Sequence, residues 1–321
     1  MSLALAALVF GVALAVLFKA GQWFVTGAVG LSVRLSLPKI LIGIVVAGFS
    51  TTLPELLVSV QAALRGEVEM ALGNAVGSVI ADDALALALA ALIAPIVLHQ
   101  KATFRVAALF LIAIDFGAYA LAYDGVLSRA EGAIMVGVLV VYIAFALISA
   151  QRGRALLPSE DVEVEVTSWT KILLYFLGGL AGVLVASELI IDSSITIAEA
   201  FRVPKFIISL TLVALGTSLP EIATVVAASR KDEGEMAVGN IIGADILNVL
   251  WIAGMSALAN PIHTSRAVIN FSFPAMVVVV LVTLTFLRTK WRLERWEGGV
   301  LLALYGVYLV LAWLLGVNAQ L

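Results

Sequence analysis

Gly48-Phe49-Ser50-Thr51-Thr52-Leu53-Pro54-Glu55 returns 166 residues later as Ala214-Leu215-Gly216-Thr217-Ser218-Leu219-Pro220-Glu221, with the same order of small residue, hydroxyl, leucine, proline and glutamate. The same shift lays Pro38-Lys39 on Pro204-Lys205, Glu67 on Glu233 and Glu69-Met70 on Glu235-Met236. It also lays Gly73-Asn74 on Gly239-Asn240, Gly77 on Gly243 and Pro95 on Pro261. Apolar text aligns leucines and valines by chance, but it does not align this many polar, Gly and Pro positions without a gap, so the chain is an internal repeat.

The solvent of that repeat follows from composition. Of 321 residues, 62% are hydrophobic and 13% charged, and the mean hydropathy is +1.12, which points to a bilayer rather than water. The apolar material comes in ten blocks, at about 3–30, 38–64, 70–95, 103–122, 126–150, 168–197, 204–229, 236–260, 267–287 and 297–317. Most reach the roughly 20 residues that a helix needs to cross about 30 Å of hydrocarbon. Blocks such as 3–18 and 275–287 lack the alternation of a β-barrel strand,. The first block has no basic stretch before it and holds Lys19, so it reads as a retained helix rather than a signal peptide,. The expected fold is all-α and polytopic, with ten transmembrane helices.

The longest joint, residues 151–167, carries Arg152, Arg154, Pro158 and the acids Glu160, Asp161, Glu163 and Glu165. It reads as a solvated linker between a first five-helix repeat, 1–150, and a second, 168–321. Five is odd, so the second repeat enters the membrane from the opposite side, and the halves are inverted. Such halves can exchange inward-facing and outward-facing shapes around one central site. Of the nineteen Lys and Arg, Lys19 lies inside a block, and Arg65, Arg129, Arg202, Lys205 and Arg266 fall on one side. The other thirteen share the side of the linker, which places it in the cytoplasm and both termini outside.

Proline has no N–H to donate and crowds the carbonyl four residues back, so Pro54 and Pro220 should free carbonyls near Ser50 and Gly216,. Thr51 and Glu55, like Thr217 and Glu221, are four apart and share a helical face,. A charged carboxylate in mid-bilayer costs at least about 2 to 3 kcal/mol. A bound cation compensates it; the bland alternative is a protonated Glu hydrogen-bonded between helices. In the second focus Asn74, Ser78 and Asp82 recur every four residues, and Gly73 and Gly77 leave room for a neighbouring helix,. The corresponding face of the other half holds Asn240, Ala244 and Asn248.

Glu55, Asp82 and Glu221 thus supply three carboxylates, with Asn248, Thr51, Thr217, Ser78 and freed carbonyls as neutral oxygens. Such hard donors suit Ca2+, with hydrated Mg2+ a weaker alternative. There is no cysteine, and His99 and His263 lie beyond the ends of apolar blocks, which excludes thiolate or histidine-rich metal centres,. Mutual repulsion favours protons or monovalent cations in the site once a divalent ion leaves. No phosphate-binding Gly-rich loop is present, so an ATP-driven pump or other enzyme is not supported,.

Among the remaining polar residues, Lys19 reads as structural, Asp115 is open between packing and an ion path, and Glu188 with Asp192, four apart on one face, is open between a solvated helix end and a functional role. Asp83 and Asp245 have no assigned role. Glu67, Glu69, Glu233 and Glu235 read as solvated joint residues or vestibule charges. Trp169, Trp291 and Trp296 fit interfacial anchors.

With these two motifs and the five-plus-five layout, the chain resembles the calcium/cation antiporter superfamily, closest to the prokaryotic sodium/calcium exchangers. The resemblance implies an antiporter of Ca2+ with Na+ or H+ as counter-ion, no cofactor, and a prokaryotic inner (plasma) membrane as its location. It implies inorganic cations and the lipid bilayer as partners, no nucleic acid, and a monomer. The liganding diamond would be Glu55, Asp82, Glu221 and Asn248, helped by Thr51 and Thr217. Carbonyls of Gly48 and Ala214 and hydroxyls of Thr52, Ser218 and Ser78 would match sodium positions. The first and sixth helices would slide across the others. The chain departs from the family by exchanging Asn and Asp at positions 82 and 248 while keeping three acids. It also has Ala244 where a hydroxyl would help hold sodium.

Overall fold

The computed structural model describes residues 2–35, 39–66, 68–153, 168–200, 218–264, 266 and 268–318. The apolar blocks within them are helical because hydrocarbon offers no hydrogen bonds, and a helix satisfies its own backbone. Among the described residues, ten α-helices are twelve residues or longer. They are α1 (Leu3–Leu35), α2 (Leu53–Leu64), α3 (Val68–Ala81), α4 (Lys101–Ala122), α5 (Arg129–Gly153), α6 (Trp169–Ala200), α7 (Leu219–Arg230), α8 (Gly234–Leu247), α9 (Phe273–Arg288) and α10 (Arg295–Asn318). The repeat is visible element by element: α2 and α7 start 166 residues apart, as do α3 and α8, α1 and α6, and α5 and α10.

Among the described residues, eight helices are long and apolar enough to cross a bilayer, and a bent pair, Gly43–Thr51 with Leu53–Leu64 at 53°, makes a ninth. The bend falls at Thr52, whose φ −84°, ψ 4° leaves helical geometry just before Pro54. Ser218 has the same φ and ψ before Pro220. Proline at the second position of α2 and α7 needs no backbone N–H there, so each motif begins a helix, and in the first half it also ends the one before,. Residues 201–217, which hold the start of the seventh apolar block, lie outside the described residues, as do residues 154–167 of the linker.

Two helices form the middle of the molecule. The membrane-length stretches Met70–Ile93 and Gly234–Ala259 are 72% and 83% buried, against 22% for α1, for Arg129–Ile148 and for Arg295–Ala312. The outer helices turn large apolar side chains such as Leu109, Val141 and Leu174 outward, as a lipid-facing ring does. Lys19 lies on the outer surface of α1, and Glu188 and Asp192 on that of α6. Trp169 and Trp296 are exposed, and Trp291 is covered by Lys101 and Arg105 at 5.3 and 4.9 Å from its ring.

The helices α1 and α6 pack along each other through a Phe-x-x-Gly in each, Phe24 with Gly27 and Phe176 with Gly179. A Cβ at either glycine would collide with the backbone of the opposite phenylalanine, and the two rings sit 4.8 Å apart. This tight pair then rests on the rest of the molecule through contacts such as Gly21 against Ala223.

One feature is absent from the all-α expectation. Immediately after Pro95 and Pro261 come two-residue strands, β1 (Ile96–Val97) and β3 (Ile262–His263), with β2 (Val126–Leu127) and β4 (Arg292–Leu293) before α5 and α10. They pair antiparallel and crosswise, β1 with β4 and β2 with β3, so each half closes the other.

The acidic joints also differ from expectation. Glu233 is bound to Lys39 at 2.7 Å, and Glu235 is buried and accepts the backbone N–H groups of His99 and Gln100 at the start of α4. Neither is a solvated loop charge or a free vestibule charge. Each acid satisfies a donor on another element, which a joint read in isolation does not reveal. Glu67 and the side chain of Glu69 lie outside the described residues.

Candidate ion-binding site

Where the two central helices cross the middle of the molecule, each gives way to a wide π-helical turn, Asp82–Leu87 after α3 and Asn248–Ile252 after α8. Such turns insert an extra residue into the helical ladder and re-aim the side chains that follow. At their first residues the halves meet. Asn248 donates from Nδ2 to Asp82 Oδ2 at 3.3 Å, and these two residues are each other's equivalents under the 166-residue shift. A residue touching its own equivalent lies beside the axis relating the halves, so this contact marks the centre of the repeat.

The helices that start at the two motifs meet at that centre, α2 packing against the turn at 248–252 and α7 against the turn at 82–87. Glu55 and Glu221, at the start of α2 and α7, are each 1% exposed. The Thr51 hydroxyl lies beside the Glu221 carboxylate and 3.4 Å from Asn240 Oδ1, so the first half's broken helix faces acid and amide of the second half. Asp82 lies within electrostatic reach of Glu221. Close approach of the backbones allows this. A Cβ on Gly43 would stand 2.7 Å from the nitrogen of Asn240, and one on Gly243 2.5 Å from the backbone of Ile44.

The polar census favours a cation. Ser78 and Ser218 hydroxyls and the Asn248 side-chain oxygen are buried without a hydrogen-bond partner among the described residues. The ion pairs among those residues join Lys39 to Glu233, His99 to Glu235 and Arg292 to Glu294, and none reaches Asp82 or Glu221. Buried carboxylates with no protein cation beside them need a positive ion or a proton. Among the described residues no three acidic or histidine side chains are close enough to chelate a metal by themselves. Neutral oxygens from Asn248, Thr51 and the hydroxyls must therefore complete any coordination shell.

Several sequence-predicted positions are placed less directly. The Thr52 hydroxyl and backbone N–H both bind the Gly48 carbonyl, at 2.9 and 3.0 Å, so in this conformation that carbonyl already accepts two bonds. Thr217 and Ala214 lie outside the described residues. Among the described residues nothing lies within 4 Å of a Cβ at Gly73 or Gly77, whereas Gly243 meets the backbone of Ile44 in the first half's bent helix, as expected of a small residue. Asn74 spans from α3 to α2, donating to Ser59 Oγ at 2.9 Å. Sequence reasoning missed Asn240 as the partner of Thr51, although its place one turn before Ala244 and two before Asn248 was a usable signal. It also missed the π turns.

Fold and site together define a polytopic membrane protein of two homologous halves with shared buried acids at the centre. The sodium/calcium exchanger protein family matches the chain twice, over residues 5–148 and 171–314, and the chain belongs to that family. It is 32% identical over 317 residues to the inner membrane protein YrbG of Escherichia coli (strain K12), covering 97% of this chain and 96% of that one. It is 28% identical over 331 residues to the sodium/calcium exchanger MaX1 of Methanosarcina acetivorans, covering 92% and 94%. Among solved structures, the sodium-calcium exchanger NCX_Mj soaked with 10 mM Na+ and 10 mM Sr2+ superposes with a TM-score of 0.84 at 28% identity, covering 96% of this chain and 99% of that one.

Proposed function

We propose that the chain is a secondary active antiporter that exchanges Ca2+ for Na+ across the membrane by alternating access. The observation that carries this reading is the Asp82–Asn248 contact between equivalent positions, 3.3 Å apart and buried, beside Glu221 and Thr51. A site on the axis is built equally by both halves, so exchanging their shapes opens the same ligands to either side. The solved relative is described as a sodium-calcium exchanger, and MaX1 carries the same description.

In this reading Glu55, Asp82, Glu221 and Asn248 hold Ca2+, with Thr51 and Thr217 assisting. The Gly48 and Ala214 carbonyls and the Thr52, Ser218 and Ser78 hydroxyls take part when Na+ enters. The chain spans the membrane ten times as two inverted five-helix repeats, 1–150 and 168–321. The crosswise pairing of β1 with β4 and β2 with β3 supports this. The linker 151–167 faces the cytoplasm of a prokaryotic inner membrane, the termini face outward, and one chain acts alone. The α1–α6 pair slides as a unit, which its interlocked glycines and phenylalanines favour.

One observation supports a second reading, Ca2+/H+ exchange. Ala244 stands where the first half has Ser78, so the second half offers one hydroxyl fewer to a sodium ion. The test is radioactive Ca2+ uptake into proteoliposomes under an imposed Na+ gradient or an imposed pH gradient. Uptake that follows the Na+ gradient supports the first reading. Uptake that follows only the pH gradient replaces it with the second, and uptake needing neither gradient rejects both.

A further inference from the structure

Behind the central site lies a second group of buried acids that the proposed Ca2+ ligands do not use. The π turn after α3 presents two consecutive carboxylates. While Asp82 turns to Asn248, Asp83 lies near Asp115 of α4 and beside the Thr283 hydroxyl of α9, and α9 packs against both this turn and α4. Asp245 of α8 lies within electrostatic reach of Asp83, Asp82, Asp115 and Glu221, and α8 packs against both the turn and α4. It therefore stands between the two groups. All three acids are at most 2% exposed, and Thr283 is 0% exposed. Both oxygens of Asp245, both of Asp115 and one of Asp83 lack a hydrogen-bond partner among the described residues, as does the Thr283 hydroxyl in full hydrogen-bond geometry.

Four elements thus aim polar atoms into one buried place. No ion pair reaches it among the described residues. Leaving such groups uncompensated is costly in a protein interior and more so within a membrane. The three acids do not close tightly enough to chelate a metal by carboxylates alone, which disfavours a second divalent ion. A singly charged ion that shares one or two carboxylates and a hydroxyl fits better.

We infer that Asp83, Asp115, Asp245 and Thr283 form a second cation site, for a monovalent alkali ion, joined to the central site through Asp245. The inference rests on the antiport reading and deepens it. When a divalent ion leaves, charge balance calls for more than one monovalent ion, and this site receives one of them. It also offsets the hydroxyl missing at Ala244. Asp115 is the member best suited to testing, because it lies on α4, which carries none of the proposed Ca2+ ligands.

The experiment measures binding of radioactive Na+, with radioactive Rb+ as a K+ probe, to purified full-length protein carrying Asp115→Asn or Thr283→Val. Radioactive Ca2+ binding without Na+ is followed in parallel. Both variants are expected to bind one Na+ fewer, or to bind it roughly tenfold more weakly, the scale of loss when a group supporting a metal site is removed. They retain saturable Ca2+ binding, which shows that they have folded. Competition by Rb+ at the lost site would assign it to K+ rather than Na+ and still support an alkali-ion site. Unchanged Na+ and Rb+ binding in both variants overturns the inference, and so does loss of Ca2+ binding in both, which would make the cluster part of the central site. Failure of the antiport reading itself is recognisable separately, because the unaltered protein would then bind no Na+ that competes with Ca2+.

Discussion

Replacing Gly243 by alanine adds one methyl group where the two halves touch most closely. That methyl carbon would stand 2.5 Å from the Cα and the carbonyl oxygen of Ile44 and 2.9 Å from its carbonyl carbon, whereas ordinary contact begins at 3.4 Å. All three atoms are backbone, so no side chain can swing away, and residues 43–47 must withdraw by about 1 Å, an overpacking that costs on the order of 1–3 kcal/mol. Alanine offsets part of this, because it favours a helix interior over glycine by about 1 kcal/mol. A net loss of up to about 2 kcal/mol remains. The withdrawal also stretches the Thr51 to Asn240 contact, already 3.4 Å, beyond hydrogen-bonding range. The variant should therefore unfold earlier in detergent and bind Ca2+ roughly tenfold more weakly, the equivalent of about 1.4 kcal/mol. Thermal unfolding with and without Ca2+ reads both. Gly137→Ala, an exposed helical position with nothing within 4 Å among the described residues, is the control and should match or exceed the parent. A Gly243→Ala protein with unaltered stability and Ca2+ affinity would refute the packing that places the site.

Thr51→Val removes the hydroxyl beside Glu221 and Asn240 and should weaken Ca2+ binding about two- to tenfold, the value of one modest hydrogen bond. Calorimetric titration checks this. Glu233→Gln breaks the half-buried bridge to Lys39 and should lower thermal stability by about 1 kcal/mol or less, the difference shrinking as salt is added. Glu235→Ala leaves the first N–H groups of the α4 turn without their acceptor. It should cost about 1 kcal/mol, the scale of a lost intramolecular hydrogen bond, seen as a lower unfolding temperature with Ca2+ affinity retained.

The repeat was legible because its markers are polar, Gly and Pro residues in an apolar text, and such residues keep their places only where geometry requires them. Pro54 and Pro220 located the helix breaks, and the breaks located Glu55 and Glu221. The π turns at Asp82 and Asn248 were not legible, since a widened turn leaves no residue pattern that distinguishes it from a plain helix. The strands after Pro95 and Pro261 are two residues long, too short for alternation to register. Glu235 read as solvated because its partners, His99 and Gln100, are more than 130 positions away in the chain. Only tertiary structure supplies such partners. The same reason hid the link between Asp83, Asp115 and Asp245, which come from three separate helical segments.

The resemblance read from the sequence implies Asn at position 82 and Asp at 248, where this chain has Asp82 and Asn248. Because these two side chains face each other at 3.3 Å, either arrangement gives one carboxylate and one carboxamide at the same place. Calorimetric Ca2+ binding to Asp82→Asn, Asn248→Asp and the double exchange tests that directly. A single site on the axis predicts that Asp82→Asn alone loses most of its affinity and that adding Asn248→Asp restores it to within a few-fold of the parent. A doubly exchanged protein as weak as Asp82→Asn alone would mean that the two positions do not serve one ion.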